Sequence, residues 1–386
     1  MNPRLFLAQK ILLWVSYVLC LPFRGIGRRV SWIVGVQEIA SMVEQIGQAV
    51  PDSLTVVDEK HPFYPISADI TLAAPGAHAL RLRRWFLAPI VLGWALPRAH
   101  GVIYIGQKGF LEHTVDEREW ELRFIRARGR HPVIVFTGSD IRSPALMTDL
   151  ARTEGFENIG SIQAKSGSPF DTEHYEWTRR RRAAIADQYA SAVFTARVDQ
   201  LSYLTGPVHP FPYLYPDDRF VPQTEKFQDL SRIVVVHAPS KPVIKGTAAV
   251  RAAVETVRSR HPELDYRELI GVDNAQVLAA LRGAHIALNQ FHSYVPGVFG
   301  IEAMAAGCVM VCSADPSVEA DLEDADGAWV VATSQTLAAT LEELLSSSES
   351  LGAQARRGYD WARNHASESA TGARLRRVLD DLAARR

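Results

Sequence analysis

The sequence has few cysteines and no excess of charge of either sign. Among its 386 residues are 3 cysteines, and 42 Lys and Arg stand against 43 Asp and Glu, for a net charge of −1. So few cysteines exclude a disulfide-built fold, and balanced charge excludes a uniformly basic nucleic-acid-binding protein. A hydrophobic fraction of 47% excludes a disordered chain. The cysteines lie in apolar runs, which predicts a reduced, cytoplasmic protein.

The signature motifs of several enzyme classes are missing as well. The chain has no G-x-G-x-x-G, G-x-x-x-x-G-K-[ST], G-x-S-x-G or H-E-x-x-H, and its 12 histidines show no metal-ligand spacing. These absences argue against a nicotinamide dehydrogenase, a P-loop NTPase, an α/β-hydrolase and a zinc protease. We therefore expect neither a cofactor nor a metal.

The near-zero net charge is a sum of two unlike halves. Residues 1–200 carry a charge of +4 and residues 201–386 carry −5. The first 29 residues contain five cations and no acid, around an apolar run at residues 11–23. That run is shorter than the roughly 20 residues a spanning helix needs, and Pro22 and Phe23 do not resemble a signal-peptide cleavage site. Three interpretations stay open: a helix on an anionic membrane surface through residues 1–30, a helix packed on the first domain, or an anchor.

Strand-like and helix-like segments alternate along both halves of the chain. This pattern predicts two α/β domains, each a doubly wound, Rossmann-like parallel sheet, facing a cleft. A Pro-rich stretch interrupts the alternation and predicts a linker. The expected order is an N-terminal helix at residues 1–28, a first α/β domain at 29–205, a linker at 206–225, a second α/β domain at 226–350 and C-terminal helices at 351–386.

The first motif of the second domain spans residues 237–247. It places Ser240, Lys241, Lys245 and Gly246 in the loop after a predicted strand, where ligands of open α/β sheets bind. The lysines suit a diphosphate, and the glycine would let the backbone approach it closely. The alternative is that both lysines are solvated loop charges.

The second motif spans residues 289–307. A Pro-Gly turn leads into a helix, and the free amides of a helix N-terminus form an anion site. Glu302 lies one turn further along, where its carboxylate could accept hydrogen bonds from ribose hydroxyls. Alternatively it complements the helix dipole. Together the two motifs favour a nucleoside diphosphate ligand.

These segments resemble the donor-binding domain of GT-B-fold glycosyltransferases of the retaining, bacterial family 4 type. The similarity rests on Ala238-Pro-Ser240, on Ile244-Lys-Gly246 and on residues 297–307. The resemblance implies transfer of a sugar from a nucleoside diphosphate sugar to a hydroxyl, without a metal. It assigns the diphosphate to Lys245 and the ribose to Glu302, and it implies that the C-terminal helix returns to the first domain.

The sequence departs from the family pattern at three polar positions. Tyr294 stands where the family carries a glutamate, Thr137 where a histidine is common, and Ser240 where an arginine is usual, with Lys241 as the nearby substitute. Two other functions therefore stay open: a nucleotide-sugar epimerase on the same fold, and a catalytically silent nucleotide-sugar-binding protein.

The first domain resembles the family more weakly. Residues 136–142 look like its strand-end loop, so Asp140 and Arg142 could orient a sugar, unless they form a structural pair. Gly35 would correspond to the loop facing the donor.

The expected partners are a nucleotide sugar, a glycan or lipid-linked acceptor of the cell envelope, and an anionic membrane surface. The candidate site residues are Lys245, Lys241, Glu302 and Asp140 for catalysis, Ser240, Gly246, Gly271, Asn289, Tyr294, Gly297, Val298, Phe299 and Gly300 for the donor, and Gly35, Gly138, Ser139, Arg142 and His292 on the acceptor side.

Overall fold

The chain folds around two parallel β-sheets. The structure is a computed structural model, and it describes residues 3–59, 66–73 and 78–385. The first sheet has six strands in the order β3-β2-β1-β4-β5-β6, and the second has five in the order β11-β10-β9-β7-β8. All the strand pairs are parallel, as the alternation of strands and helices predicts.

The strands of the first sheet are short and mostly buried on both faces. They are β1 Trp32–Val36, β2 Leu54–Val57, β3 Ile70–Thr71, β4 Gly101–Ile105, β5 His131–Val135 and β6 Ala192–Phe194. The helices of this domain are α1 Pro3–Cys20, α2 Met42–Ala49, α3 His78–Ala95, α4 Glu119–Arg126, α5 Pro144–Glu154, α6 Ile159–Lys165 and α7 Glu173–Tyr189.

Helix α1 is longer than the apolar run predicts. With the short 3-10 turn Leu21–Phe23 it forms a 20-residue apolar segment, Arg4–Phe23, of mean hydropathy 1.7. The expectation that this segment is too short to span a membrane is therefore wrong on length and composition. The helix packs along α3, however, and buries Phe6, Gln9 and Leu13 against it and its neighbours.

The second sheet is built in the same way. Its strands are β7 Ile233–His237, β8 Leu264–Glu268, β9 Ile286–Leu288, β10 Val309–Cys312 and β11 Val330–Val331. Its helices are α8 Pro242–Lys245, α9 Thr247–Arg258, α10 Asn274–Gly283, α11 Gly297–Ala305 and α12 Leu337–Ser346.

The Pro-rich linker is an ordered part of the packing. The amide of His209 donates to the carbonyl of Val193 over 2.8 Å, and Leu214 and Tyr215 are buried. Beyond the second sheet follow α13 Leu351–His365 and α14 Glu368–Ala384. Apolar side chains of α14 join the core of the first sheet, so the C-terminus lies on the N-terminal domain. These side chains are Leu375, Leu379 and Leu382.

Candidate functional site

The carboxyl edge of the second sheet brings the two motif segments of that domain together. Strand β7 ends at His237, whose ring nitrogens lie 2.8 Å from the carbonyl oxygen of Leu288 and 2.9 Å from the hydroxyl of Thr247. The imidazole therefore ties β7 to β9 and to the start of α9. Burial lowers the pKa of His237, which favours the neutral ring in this role.

Gly246 lets the two loops approach each other. It separates α8 from α9 with φ of 78°, a left-handed conformation that favours glycine. A Cβ at this position would lie 3.1 Å from the Cβ of Phe291 and 3.3 Å from the Nε2 of His292. The sequence predicts that a ligand approaches the backbone at Gly246. In the structure, Phe291 and His292 of the second motif lie there instead.

Lys245 places a half-buried amine between the domains. Its ammonium group donates to the side-chain oxygen of Gln290, whose amide nitrogen donates 2.5 Å to the carbonyl of Val295. Burial lowers the pKa of Lys245 to about 8, opposed by the nearby carboxylate of Asp199 and reinforced by the nearby cation of Arg142. An anionic ligand would stabilise the charged form of such an amine, because it compensates for the loss of hydration.

The other members of the first motif are not part of this buried cluster. Ser240 and Lys241 are exposed at the start of α8, where the backbone carbonyl of Lys241 accepts from the amide of Lys245 over 3.0 Å. The structure therefore separates the two lysines that the sequence grouped: Lys245 is half-buried and Lys241 is exposed.

Helix α11 begins beside this cluster. Gly297 starts the helix with φ of 65°, and Asn289 holds the preceding turn by donating 2.5 Å to the carbonyl of Pro296. Gly300 faces Asn289 so closely that a Cβ would lie 2.8 Å from its amide nitrogen. These residues shape the helix start, whereas Val298 and Phe299 are half-exposed on its first turn.

Glu302 lies one turn further into α11 and is buried. One of its oxygens accepts 2.8 Å from the side-chain amide of Asn274, the first residue of α10. Burial raises the pKa of Glu302 to about 7, while the Asn274 hydrogen bond and the cation of Arg219 act in the opposite direction. Gly271, exposed with φ of 70°, lies in the loop that leads to Asn274. The carboxyl group can therefore accept or donate hydrogen bonds near pH 7.

A buried ionic network joins the first domain to this edge. Arg142 and Asp199 form an ion pair of 2.5 Å, with 6% and 4% of their side chains exposed. The other oxygen of Asp199 accepts 2.6 Å from the hydroxyl of Ser293 and 3.0 Å from the amide of Tyr294. The alternative that Asp140 and Arg142 form a structural pair is not realised, because Arg142 pairs with Asp199.

Tyr294 and His292 also contact the first domain. The hydroxyl of Tyr294 donates 2.7 Å to a carboxylate oxygen of Glu154, and its ring packs edge-on against Phe156. A ring nitrogen of His292 lies 3.0 Å from the carbonyl oxygen of Glu157, and burial lowers the pKa of this histidine. Both side chains thus lie at the interface, with Tyr294 engaged by α5.

The strand-end loop of the first domain is held by Asp140. Its carboxylate accepts from the amides of Thr137 and Gly138 over 3.0 and 2.7 Å, so it caps the loop. Ser139 is exposed at the tip of the loop, and its carbonyl accepts from Tyr175. Asp140 therefore has a structural role, through the loop amides and not through the pair with Arg142 that the sequence left open.

Gly35 lies inside strand β1, not in the loop after it. It sits in register with Val56 on one side and Tyr104 on the other, and a Cβ there would lie 2.2 Å from the carbonyl oxygen of Val56. Gly35 therefore lies near the end of the first strand, with Val36 between it and the loop, and its role toward the donor stays a prediction. The loop at that end of β1 starts at Gln37, whose side-chain oxygen accepts from the amides of Gln107 and Lys108.

Sequence reasoning missed several polar side chains of this region. Gln290 and Ser293 lie within the second motif, so their position could have flagged them. Asp199 follows β6 at the carboxyl edge of the first sheet, which is the same signal that found Asp140. Asn274 and Arg219 carry no comparable signal. Among the described residues, no group of three or more His, Cys, Asp or Glu could hold a metal ion.

Comparison with known proteins places this architecture in one fold class. No protein-family model matches the chain, and no curated protein matches it by sequence. Solved structures do match over most of its length: the chain has the two-domain GT-B fold of glycosyltransferases.

The matching structures are distant in sequence. Sucrose-phosphate synthase from Thermosynechococcus elongatus superposes with a TM-score of 0.61 at 12% identity, covering 92% of this chain and 100% of that one. HepE from Anabaena, solved with UDP-glucose, gives 0.56 at 13% identity, with 91% and 99% covered. WaaG, a glycosyltransferase of lipopolysaccharide biosynthesis, gives 0.53 at 13% identity, with 92% and 99% covered.

Proposed function

We propose that the protein transfers a sugar from a nucleoside diphosphate sugar to a hydroxyl acceptor. The observation that carries the proposal is that Lys245 and Glu302 lie in the two motif segments at the carboxyl edge of the second sheet. Lys245 is a half-buried cation bonded to Gln290, and Glu302 is a buried carboxyl held by Asn274. A diphosphate would neutralise the first, and ribose hydroxyls would bond to the second.

The fold neighbours support a nucleotide-sugar donor. HepE is described in complex with UDP-glucose, and WaaG as a glycosyltransferase. In open α/β sheets, ligands bind beyond the carboxyl ends of the strands, and the Lys245 and Glu302 segments occupy that edge.

The chemical demand on the site is to stabilise charge on a leaving diphosphate. As the bond from the anomeric carbon to the diphosphate oxygen breaks, negative charge grows on that oxygen. The ammonium of Lys245 and the first-turn amides of α11 would stabilise it, and preorganised donors of this kind are usually the largest catalytic effect. We propose that no metal takes part, so activity should survive a chelator.

We propose retention at the anomeric carbon by front-face attack. The acceptor oxygen would form its bond on the face that the diphosphate leaves, and the departing phosphate oxygen would take the acceptor proton. This is in keeping with Asp140, which is bonded to loop amides, and with Tyr294, which is bonded to Glu154. The acceptor we propose is a glycan or a lipid-linked saccharide of the envelope, handled on the cytoplasmic face of the plasma membrane.

A catalytically silent nucleotide-sugar-binding protein is the second candidate. It is favoured by the same engagement of Asp140 and Tyr294 in structural hydrogen bonds, which leaves neither side chain free as a general base. Such a protein would bind the donor through Lys245 and Glu302 and would not turn it over.

The decisive experiment has two stages. A thermal-shift screen with UDP, GDP, ADP and CDP should show selective stabilisation by one nucleoside diphosphate. The corresponding nucleotide sugars are then tested for release of nucleoside diphosphate, with and without a panel of glycan acceptors and with EDTA. Lys245→Ala should reduce turnover at least tenfold, whereas exposed Lys241→Ala should change it less than threefold. Binding without turnover would favour the silent protein, and no stabilisation by any nucleotide would exclude both.

A further inference from the structure

Helices α1 and α3 carry most of the exposed large hydrophobic side chains. Of 19 such side chains among the described residues, 13 lie on α1, on the turn at residues 21–26 or on α3. We call this surface the α1/α3 platform. Its members are Leu5, Leu7, Ile11, Trp14, Val15, Val18, Leu19, Leu21, Phe23, Ile26, Phe86, Ile90 and Trp94.

The platform forms one apolar face, because α1 packs against α3 and each helix exposes a row of apolar side chains. On α3 the exposed residues Phe86, Ile90 and Trp94 are spaced four apart, so they lie on one side of the helix. The buried residues of α1 are Phe6, Gln9 and Leu13, on the side that meets α3, which turns the exposed row outward. A contiguous exposed apolar face of this kind marks an interaction surface.

Polar contacts fix α1 along the domain. Gln9 is fully buried; its amide donates 2.9 Å to the carbonyl of Trp85, and its oxygen accepts 3.0 Å from the amide of Glu112. Near the other end, the hydroxyl of Ser16 donates 2.9 Å to the carbonyl of Ile90. The helix is held flat on the protein at two points, which favours a surface role over a spanning one.

The charged residues around the platform indicate which kind of partner binds there. Arg24 and Arg29 are exposed at its edge, and the first acidic residue of the chain is Glu38. Arg28 turns back to pair with Asp69 over 2.5 Å. Exposed cations beside an apolar face with tryptophans suit an anionic lipid surface. A second copy of the chain would bring like charges together across a twofold interface.

We infer that the α1/α3 platform seats the protein on a bilayer that contains anionic lipid. The apolar row enters the headgroup boundary with Trp14 and Trp94 at headgroup level, and the arginines bind lipid phosphates. Membrane binding by the platform does not depend on sugar transfer, so an experiment can contradict either one and leave the other unaffected.

The test is co-sedimentation of the full-length protein with vesicles. Wild-type protein should bind vesicles of phosphatidylcholine with 30% phosphatidylglycerol and bind pure phosphatidylcholine at least tenfold more weakly. Ile11→Glu/Ile90→Glu places two charges in the apolar face at exposed positions and should reduce binding at least tenfold. Arg24→Ala/Arg29→Ala should weaken binding to the anionic vesicles by about fivefold per arginine.

A matched control carries the same charge change elsewhere. Val331→Glu/Trp177→Glu alters two other exposed apolar side chains, which lie outside the platform, and should bind as wild type does. Equal binding by the Ile11→Glu/Ile90→Glu variant would overturn the inference. So would resistance of bound wild-type protein to carbonate extraction, which would indicate a spanning helix. A dimer in light scattering that this variant alone converts to a monomer would assign the platform to a second copy instead.

Discussion

The carboxylate of Asp199 accepts a hydrogen bond of 2.6 Å from the hydroxyl of Ser293, and this contact joins the two domains across the candidate site. The same carboxylate is paired with Arg142 of its own domain. Lys245 lies close enough for both charges to influence its pKa. The relative position of the two sheets and the electrostatics of the proposed diphosphate site therefore depend on one buried network.

Replacing Asp199 should destabilise the fold. In Asp199→Ala the buried guanidinium of Arg142 loses its carboxylate partner, and breaking a buried pair from one side costs about 3–5 kcal/mol. We expect the urea midpoint to fall accordingly. Asp149→Ala is the control, because its pair with Arg152 is about 70% exposed and should contribute little. Equal midpoints for the two variants would show that the network does not hold the domains.

Glu302 should make the protein less stable as pH rises. Its pKa is about 7 in the folded protein against an ordinary 4.5, so between these values the folded state keeps a proton that the unfolded chain releases. Its contribution to stability is present below pH 4.5 and is lost as pH rises to 7. Glu302→Gln cannot ionise and should exceed wild type at pH 8 by up to about 3 kcal/mol, with no gain near pH 4.

The difference in unfolding free energy between wild type and Glu302→Gln reports on the Glu302 carboxyl alone. Burial also raises the pKa values of Glu38 and Glu319 to about 7, so the pH profile of the wild type alone sums several groups. Urea unfolding at pH 4 and pH 8 measures the difference, and Glu349→Gln, at an exposed glutamate, is the control. A gain for Glu302→Gln that is the same at both pH values would contradict a raised pKa.

Tyr294→Phe should separate an interface role from a donor-binding role. The substitution keeps the ring against Phe156 and removes the hydroxyl that donates to Glu154. We expect a loss of about 1 kcal/mol in unfolding free energy, typical of one hydrogen bond, and unchanged affinity for the stabilising nucleoside diphosphate. A tenfold weaker affinity at unchanged stability would assign the hydroxyl to the donor, as the sequence suggested.

Much of the fold could be predicted from the sequence because the periodicity is local. Strand and helix alternation predicts both parallel sheets, which the structure contains. The Pro-rich segment predicted a linker but not its packing, which depends on partners such as Val193 that no local pattern specifies.

The candidate site was only partly predictable for the same reason. Lys245 and Glu302 could be picked out because their motifs lie at strand ends, which are brought together by sheet topology alone. The pairing of Arg142 with Asp199, and of Asp199 with Ser293, joins residues 57 and 94 positions apart. Such contacts are set by how the two domains face each other, so the sequence suggested Asp140 as the partner of Arg142 instead.

The pH dependence of nucleotide binding should be set by Lys245. Burial lowers the pKa of its ammonium to about 8, so the free site is mostly charged at pH 7 and mostly neutral at pH 9. A diphosphate binds best when Lys245 is charged, so above pH 8 binding requires that the amine first take up a proton. This requirement weakens binding by up to about tenfold between pH 7 and pH 9. Calorimetry at pH 7, 8 and 9 with the nucleoside diphosphate that stabilises the protein most measures the effect.

The matched lysine makes this prediction specific. Lys245→Met should bind weakly with a flat profile, whereas Lys241→Met, at the exposed position, should keep both the affinity at pH 7 and its decline at higher pH. Proton uptake on binding, read from the buffer dependence of the heat, should be largest near pH 9 for wild type and absent for Lys245→Met. A decline that persists in Lys245→Met would show that another group titrates, and would contradict the assignment of the Lys245 amine to the diphosphate site.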